Sequence, residues 1–399
     1  MIAKHGLVAP GFERVAEAFE GNFADRQDKG AAFAATVDGR LVVDIWGGLA
    51  DRATGRLWEE ETLQLLFSGT KAFVALCLLM LVDRGRLELD RPVADYWPEF
   101  AAEGKGSILV QEALSHRARL PGIRDALSEA ELLDPVAMAS RIAAERAWTD
   151  PRAAFVYHAL TFGWICAELL RRIDGRSVGR FFAEEVADPL ELELWIGLPP
   201  ELEGRTSTLT LADNWGNSPT TDPRLVTEED PLFRSIWANP PLFSTPLAWN
   251  KPAWHQAEIP AGGGIGSARS IAKLYGCLAR GGELDGVRLL SERTLGLGRR
   301  ELARGQEPFT DKVMVFGAGF QLQTPQHHLG PPRLAFGHDG AGGSMHGAWP
   351  RERASFSYVM NELRDTDEPD PRNAVLLGAL YRCLHPRRLL GARHLVGRG

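Results

Sequence analysis

Ser68 and Lys71 stand three residues apart in Phe67-Ser68-Gly69-Thr70-Lys71, and an unbroken apolar run from Ala72 to Val82 follows them. Helical spacing puts the two side chains on one face. The helix is apolar on every side, which predicts burial at the centre of the molecule. A lysine entering such a helix loses hydration and must find polar company or drop its pKa. Either outcome suits nucleophilic catalysis: the amine can take or polarise the serine proton, and the helix N-terminus favours negative charge developing beside it. The same spacing recurs at Ser270-Ile271-Ala272-Lys273. There the helix is amphipathic, so Ser270 is expected to cap it and Lys273 to be solvated.

Tyr157, one of five tyrosines, lies in Phe155-Val156-Tyr157-His158-Ala159 and is expected to open a helix. A phenol is a feeble base at its reference pKa of ~10, yet an adjacent ammonium stabilises its anion. Beside Lys71, Tyr157 can accept the Ser68 proton and hand it to a leaving group; His158 and His338 are the next candidates for that role. The Gly-rich stretch Phe336-Gly337-His338-Asp339-Gly340-Ala341-Gly342-Gly343-Ser344 sits in a strand context. Glycine there marks a place where a ligand or another backbone comes close. Such an edge can offer a main-chain N–H to an oxyanion while His338 reaches the substrate.

Other strings carry less. Gly175-Arg176-Ser177-Val178-Gly179 matches the nucleophile elbow, but a helix precedes it where a strand is needed, so Ser177 reads as a helix cap. Gly262 to Ser267 lacks the last glycine of a dinucleotide fingerprint, and the ten histidines, His327-His328 included, show no metal-ligand spacing. No metal and no cofactor are expected.

Positioning these groups requires a scaffold. Helical periodicity at 11–27 is followed by strand-like runs at 32–37 and 40–46 around Asp38-Gly39, a strong hairpin signal. Strand-like runs at 316–323, 334–338, 344–349 and 355–360, then a helix near 373–383, mirror this at the other end. The fold class expected is therefore α+β: one antiparallel sheet built by both termini and flanked by their helices, with an all-helical subdomain inserted. The sheet domain would comprise 1–85 and 262–399, and the helical subdomain 86–261. Helices are expected at 110–114, 130–146, 161–173 and 178–187. The Trp- and Pro-rich stretch 213–260 is expected to form a long loop walling the site, with Trp215, Trp237 and Trp249 lining an acyl or alcohol pocket.

Composition narrows the function. The 399 residues are 44% hydrophobic and carry a net charge of −7, so no basic field attracts nucleic acid or anionic lipid. Lys4, Lys29, Lys71, Lys105, Lys251, Lys273 and Lys312 are the only lysines, and only Lys71 falls in a wholly apolar helix. The scattered Cys77, Cys166, Cys277 and Cys383 read as core thiols. No signal peptide or membrane-length run is evident, and a cytoplasmic enzyme is expected.

Ser68-x-x-Lys71, Tyr157 and His338-x-Gly340, in that order, resemble the three signature elements of the serine β-lactamase-like superfamily. The resemblance is closest to class C β-lactamases, D,D-peptidases and family VIII carboxylesterases, and it runs from about residue 10 to 385. Leu114-Ser115-His116, Leu120-Pro121-Gly122, 87–93 and 262–270 support it. It implies that Ser68 is the acyl-accepting nucleophile, Tyr157 the general base and acid, and Lys71 the group that lowers the Tyr157 pKa. It also implies an oxyanion hole formed by the main-chain N–H groups of Ser68 and Ala341; Gly340, His338 and His158 are expected to contact the substrate. Ala159 stands where the Tyr-x-Asn amide is expected, and His338 replaces the Lys of Lys-Thr-Gly. Both changes weaken recognition of carboxylate-bearing amides. The expectation is thus a carboxylesterase acting on small esters, with a weak β-lactamase, an acyltransferase or a catalytically silent scaffold as alternatives.

Overall fold

The computed structural model describes residues 5–222, 229–243, 247–365 and 369–386. Among them the chain forms β1 (His5–Val8), α1 (Glu13–Asp25), β2 (Gly30–Val37), β3 (Arg40–Asp51) and β4 (Arg56–Leu57) near its start. After the intervening helices come β5 (Ala303–Gln306), β6 (Val313–Phe316), β7 (Gln321–Leu322), β8 (Phe336–Asp339), β9 (Met345–Trp349) and β10 (Ala354–Met360). Asp38 and Gly39 adopt φ of 52° and 80°, as the predicted hairpin turn between β2 and β3 requires.

These strands make a ten-stranded sheet in the order β1-β3-β2-β10-β9-β8-β7-β6-β5, with β4 on β3. Every pairing in it is antiparallel. The two ends of the chain meet where β2 pairs with β10, Ala34 opposite Ser357. Both strands are buried nearly throughout, so both faces of the sheet are covered. The Ser355 hydroxyl donates to Ala272 O of a helix at Ala268–Ala279. Trp349, paired with Ala354 and so on the opposite face, packs its ring 6.2 Å from Tyr381 of the C-terminal helix Pro371–Leu384.

The Ser68 helix, α2 (Thr70–Asp83), is buried from Thr70 to Leu81. It is enclosed by the helices Thr161–Asp174, Val178–Phe182 and Glu292–Gly298 and by β8. Packing on every side is why its sequence has no polar stripe. A separate three-stranded sheet pairs Gln64–Leu65 and Leu194–Ile196 with Gly264–Gly266, fastening the chain just before Ser68 to the segment that closes the helical region.

Several elements differ from expectation. The run 130–146 is two helices, Glu129–Leu132 and Pro135–Ala144, because Asp134 accepts the Val136 and Ala137 N–H groups at 2.9 and 3.1 Å and starts the second one. The strand predicted at 316–323 is split into β6 and β7 by a turn containing Gly319 at φ 85°. Within 213–260, short helices occur at Pro231–Trp237 and Pro252–Gln256; residues 223–228 and 244–246 of that stretch lie outside the described residues. Among the described residues no helix is long and apolar enough to cross a membrane.

Candidate active site

Ser68 sits in a single 3-10 turn, Phe67–Gly69, that runs directly into α2. The turn is held tightly. Phe67 adopts φ 47°, a left-handed conformation that costs a non-glycine residue on the order of 1–3 kcal/mol. Its ring is clamped 5.1 Å from Trp249, and its carbonyl accepts the Thr70 hydroxyl at 2.6 Å. Thr70 Oγ1 in turn accepts the Gly264 N–H at 2.8 Å, and Gly264 O accepts the Leu66 N–H at 2.9 Å. The Gly262–Ser267 stretch is thus a buttress behind the nucleophile.

Lys71, fully buried, donates to Ser68 Oγ at 3.0 Å and to Ala261 O at 2.9 Å. Loss of hydration brings its pKa down to about 7, and the Asp339 carboxylate pulls the other way. The uncharged amine is therefore accessible near neutrality and able to take the Ser68 proton. Its nitrogen also lies 4.9 Å above the Tyr157 ring.

Tyr157 is 8% exposed and lines the same cavity as Ser68. It does not open a helix: Val156, Tyr157 and His158 lie in chain without regular secondary structure, and the helix starts at Thr161. What fixes the segment is imidazole. His116 Nδ1 accepts the His158 N–H at 3.0 Å, and the His116 ring lies 4.7 Å from that of Tyr157. Burial holds the phenol well above its ordinary pKa, Asp339 adds to this, and the Ser68 contact opposes it. The resemblance implies that Lys71 lowers this pKa, whereas desolvation of the buried phenolate is the largest influence on it and acts in the opposite direction.

On the opposite wall β8 ends at Asp339, and Gly340 approaches the serine turn so closely that a Cβ there would lie 2.3 Å from Leu66 O. This close approach is what the glycine pattern predicted. It brings Ala341 to the cavity beside Ser68, and among the described residues no backbone acceptor takes the Ser68 or Ala341 N–H. The turn beyond is fixed from behind: Arg372 Nη2 donates to Gly342 O at 2.6 Å and Asn373 Nδ2 to Gly343 O at 2.7 Å. Arg372 is itself buried between Asp28 and Asp370.

Ser68, Tyr157, Gly340, Ala341, Trp215, Trp237 and Trp249 all line one cavity of about 770 Å³, with Ala159 beside them. Two expected substrate contacts do not reach it. His158 is fully buried, with Nδ1 donating to Val156 O at 2.7 Å and Nε2 accepting the Leu120 N–H at 3.2 Å, so it is a structural brace. His338 is buried behind Tyr157 and Phe316, its Nδ1 2.8 Å from Asp339 O. The cavity residue at this position is its neighbour Asp339, to which sequence reasoning gave no role. Gln321 holds that carboxylate reciprocally, Nε2 to Oδ1 at 2.8 Å and Asp339 N–H to Oε1 at 3.0 Å.

The remaining serines are structural. Ser177 caps its helix and donates to Glu258 at 2.6 Å. Ser270 is not the cap of its helix; Ser267 is, and Ser270 Oγ accepts the Glu193 N–H at 2.9 Å. Among the described residues no group of His, Cys, Asp or Glu has metal-binding geometry, and the four cysteines are free, Cys383 only half-buried.

The β-lactamase family model matches residues 15–380 of the chain. The chain belongs to the β-lactamase family. It is 35% identical to the esterase/β-lactamase LipL of Mycobacterium tuberculosis over 367 residues, 90% of this chain and 83% of that protein. A family VIII carboxylesterase superposes with a TM-score of 0.87 at 37% identity, covering 96% of this chain and 100% of the other. A penicillin-binding protein homologue from Caulobacter crescentus gives 0.86 at 38% identity, with the same coverage. The mixed helical and antiparallel architecture is that of these β-lactamase-fold relatives, and the family is one of serine hydrolases.

Proposed function

We propose that the protein is a carboxylesterase that hydrolyses small esters through an acyl group carried on Ser68. The observation that carries the reading is the buried Lys71 amine 3.0 Å from the Oγ of Ser68, a residue that lines an aromatic cavity. Lys71 takes the Ser68 proton as the oxygen attacks the ester carbonyl, and the Ser68 and Ala341 N–H groups receive the oxyanion. Collapse expels the alcohol, which takes a proton relayed from Lys71 through the Tyr157 hydroxyl. Water then attacks the acyl-serine with the same groups as base and acid, releasing the carboxylic acid and free Ser68.

Ester chemistry is favoured over β-lactam or peptide hydrolysis by what stands around the serine. Ala159 offers no side-chain amide, and Asp339 presents negative charge where an acidic substrate needs a cation. The names of LipL and of the family VIII carboxylesterase support the same reading. The test compares p-nitrophenyl butyrate with a chromogenic cephalosporin, using the wild type and Ser68→Ala. The ester should be turned over far faster, and Ser68→Ala should lose on the order of 10⁴-fold or more in kcat. Preferential cephalosporin turnover, or full activity in Ser68→Ala, would overturn the proposal.

A further inference from the structure

Asp339 distinguishes this cavity electrically. Its Oδ1 is occupied by Gln321 and stands 3.5 Å from His338 Nδ1. No described residue hydrogen-bonds its Oδ2, and the side chain is 33% exposed, into the same cavity that Ser68 and Tyr157 line. Burial raises its pKa, but the adjacent His338, with the fields of His328 and Lys312, outweighs this and keeps the carboxyl well below the usual carboxylate range.

A second lining carboxylate, Glu307, is 1% exposed. Its Oε2 accepts the Phe309 and Thr310 N–H groups, both at 2.8 Å, while its Oε1 is buried with no partner. Of the lining cations, Arg364 is turned away, its guanidinium bonded to Arg26 O, Gln27 O and Glu362, and Lys312 is the other. The walls between are aromatic. Trp237 stacks on Tyr157 at 6.4 Å and Phe243 on Trp249 at 6.5 Å, with Trp215 edge-on to Phe243 at 5.3 Å. Ring faces beside a fixed carboxylate are the surroundings that recognise an ammonium group.

Resting on the esterase reading, we propose that the cavity selects esters bearing an ammonium group, and that Asp339 is the specificity-determining carboxylate. The cation would pair with Asp339 Oδ2 against the tryptophan faces while the ester carbonyl lies at Ser68. The same charge repels substrates that carry a carboxylate.

The experiment compares butyrylcholine with its uncharged carbon isostere, 3,3-dimethylbutyl butyrate, in the wild type. The cationic ester should be favoured by at least tenfold in kcat/KM, and choline should inhibit hydrolysis of the neutral ester at a concentration at least tenfold below that of 3,3-dimethylbutanol. In Asp339→Asn the ratio of cationic to neutral turnover should fall towards unity. Equal kcat/KM for the two esters in the wild type, equal inhibition by the two alcohols, or a ratio unchanged in Asp339→Asn overturns the proposal. The wild-type comparisons stand even if Asp339→Asn fails to fold. Turnover of neither ester would instead count against the esterase reading itself.

Discussion

Replacing Gly340 by alanine tests whether the approach of β8 to the serine turn is what makes the oxyanion hole. Gly340 has φ −131° and ψ 156°, ordinary extended backbone, so any effect is steric and not conformational. The added Cβ would fall 2.3 Å from Leu66 O and 2.3 Å from Ser344 Oγ, whereas ordinary contact begins at 3.4 Å. Ser344 is buried and Leu66 O is main chain, so the strand end must retreat by about 1 Å. A donor moved that far no longer bonds an oxyanion. Loss of one such donor costs ~10²–10³ in kcat, or ~3 kcal/mol of transition-state stabilisation. Overpacking adds ~1–3 kcal/mol of destabilisation, visible in urea unfolding. The assay is p-nitrophenyl butyrate turnover, with KM little changed because the cavity walls stay in place. Gly204→Ala is the control, since a Cβ there meets nothing within 4 Å. A folded Gly340→Ala protein with kcat within about threefold of wild type would refute the reasoning.

The pH dependence of kcat/KM should show an acidic limb near 7, rising with pH as Lys71 loses its proton, and Asp339→Asn should move that limb lower by removing the charge that favours the ammonium. Stability follows the same sign: the unfolded chain holds the Lys71 proton up to its ordinary 10.5, so this group's contribution rises with pH between about 7 and 10.5, as urea unfolding across pH would show. His158→Phe should cost ~2 kcal/mol in urea unfolding by stranding the Leu120 N–H and Val156 O, and lower kcat through the Tyr157 segment while leaving KM unchanged. Arg372→Met should lose ~3–5 kcal/mol by leaving the Asp28 and Asp370 carboxylates unpaired, whereas Asn373→Ala, which frees only Gly343 O, should lower kcat with a smaller loss of stability.

Local chemistry was what the sequence made legible. A lysine in a helix with no polar face had to be buried beside Ser68, and the glycine at 340 had to mark a close approach. Both are properties of a few adjacent residues. The β2–β3 hairpin and the terminal helices followed from periodicity for the same reason. What escaped reading depends on partners distant in the chain. His116 braces a segment 42 residues away, Gln321 holds Asp339 across 18, and Arg372 reaches Gly342 across 30. No spacing rule encodes those contacts. Tyr157 shows both cases: its type and neighbours pointed to the site, but its segment lies outside any helix and is held by the His116 contact. His338 and Asp339 show the limit of strand alternation, since the imidazole of the motif turns inward and the residue beside it meets the cavity.

The central claim is that Ser68 carries the acyl group, and the most direct measurement is intact mass of the protein quenched during turnover of an activated ester, followed by peptide mapping. The account predicts one acyl group per chain, on the peptide containing Ser68 and absent from Ser68→Ala. An acyl group found on Ser177 or Ser270, or turnover by a Ser68→Ala protein at the wild-type rate, would contradict it.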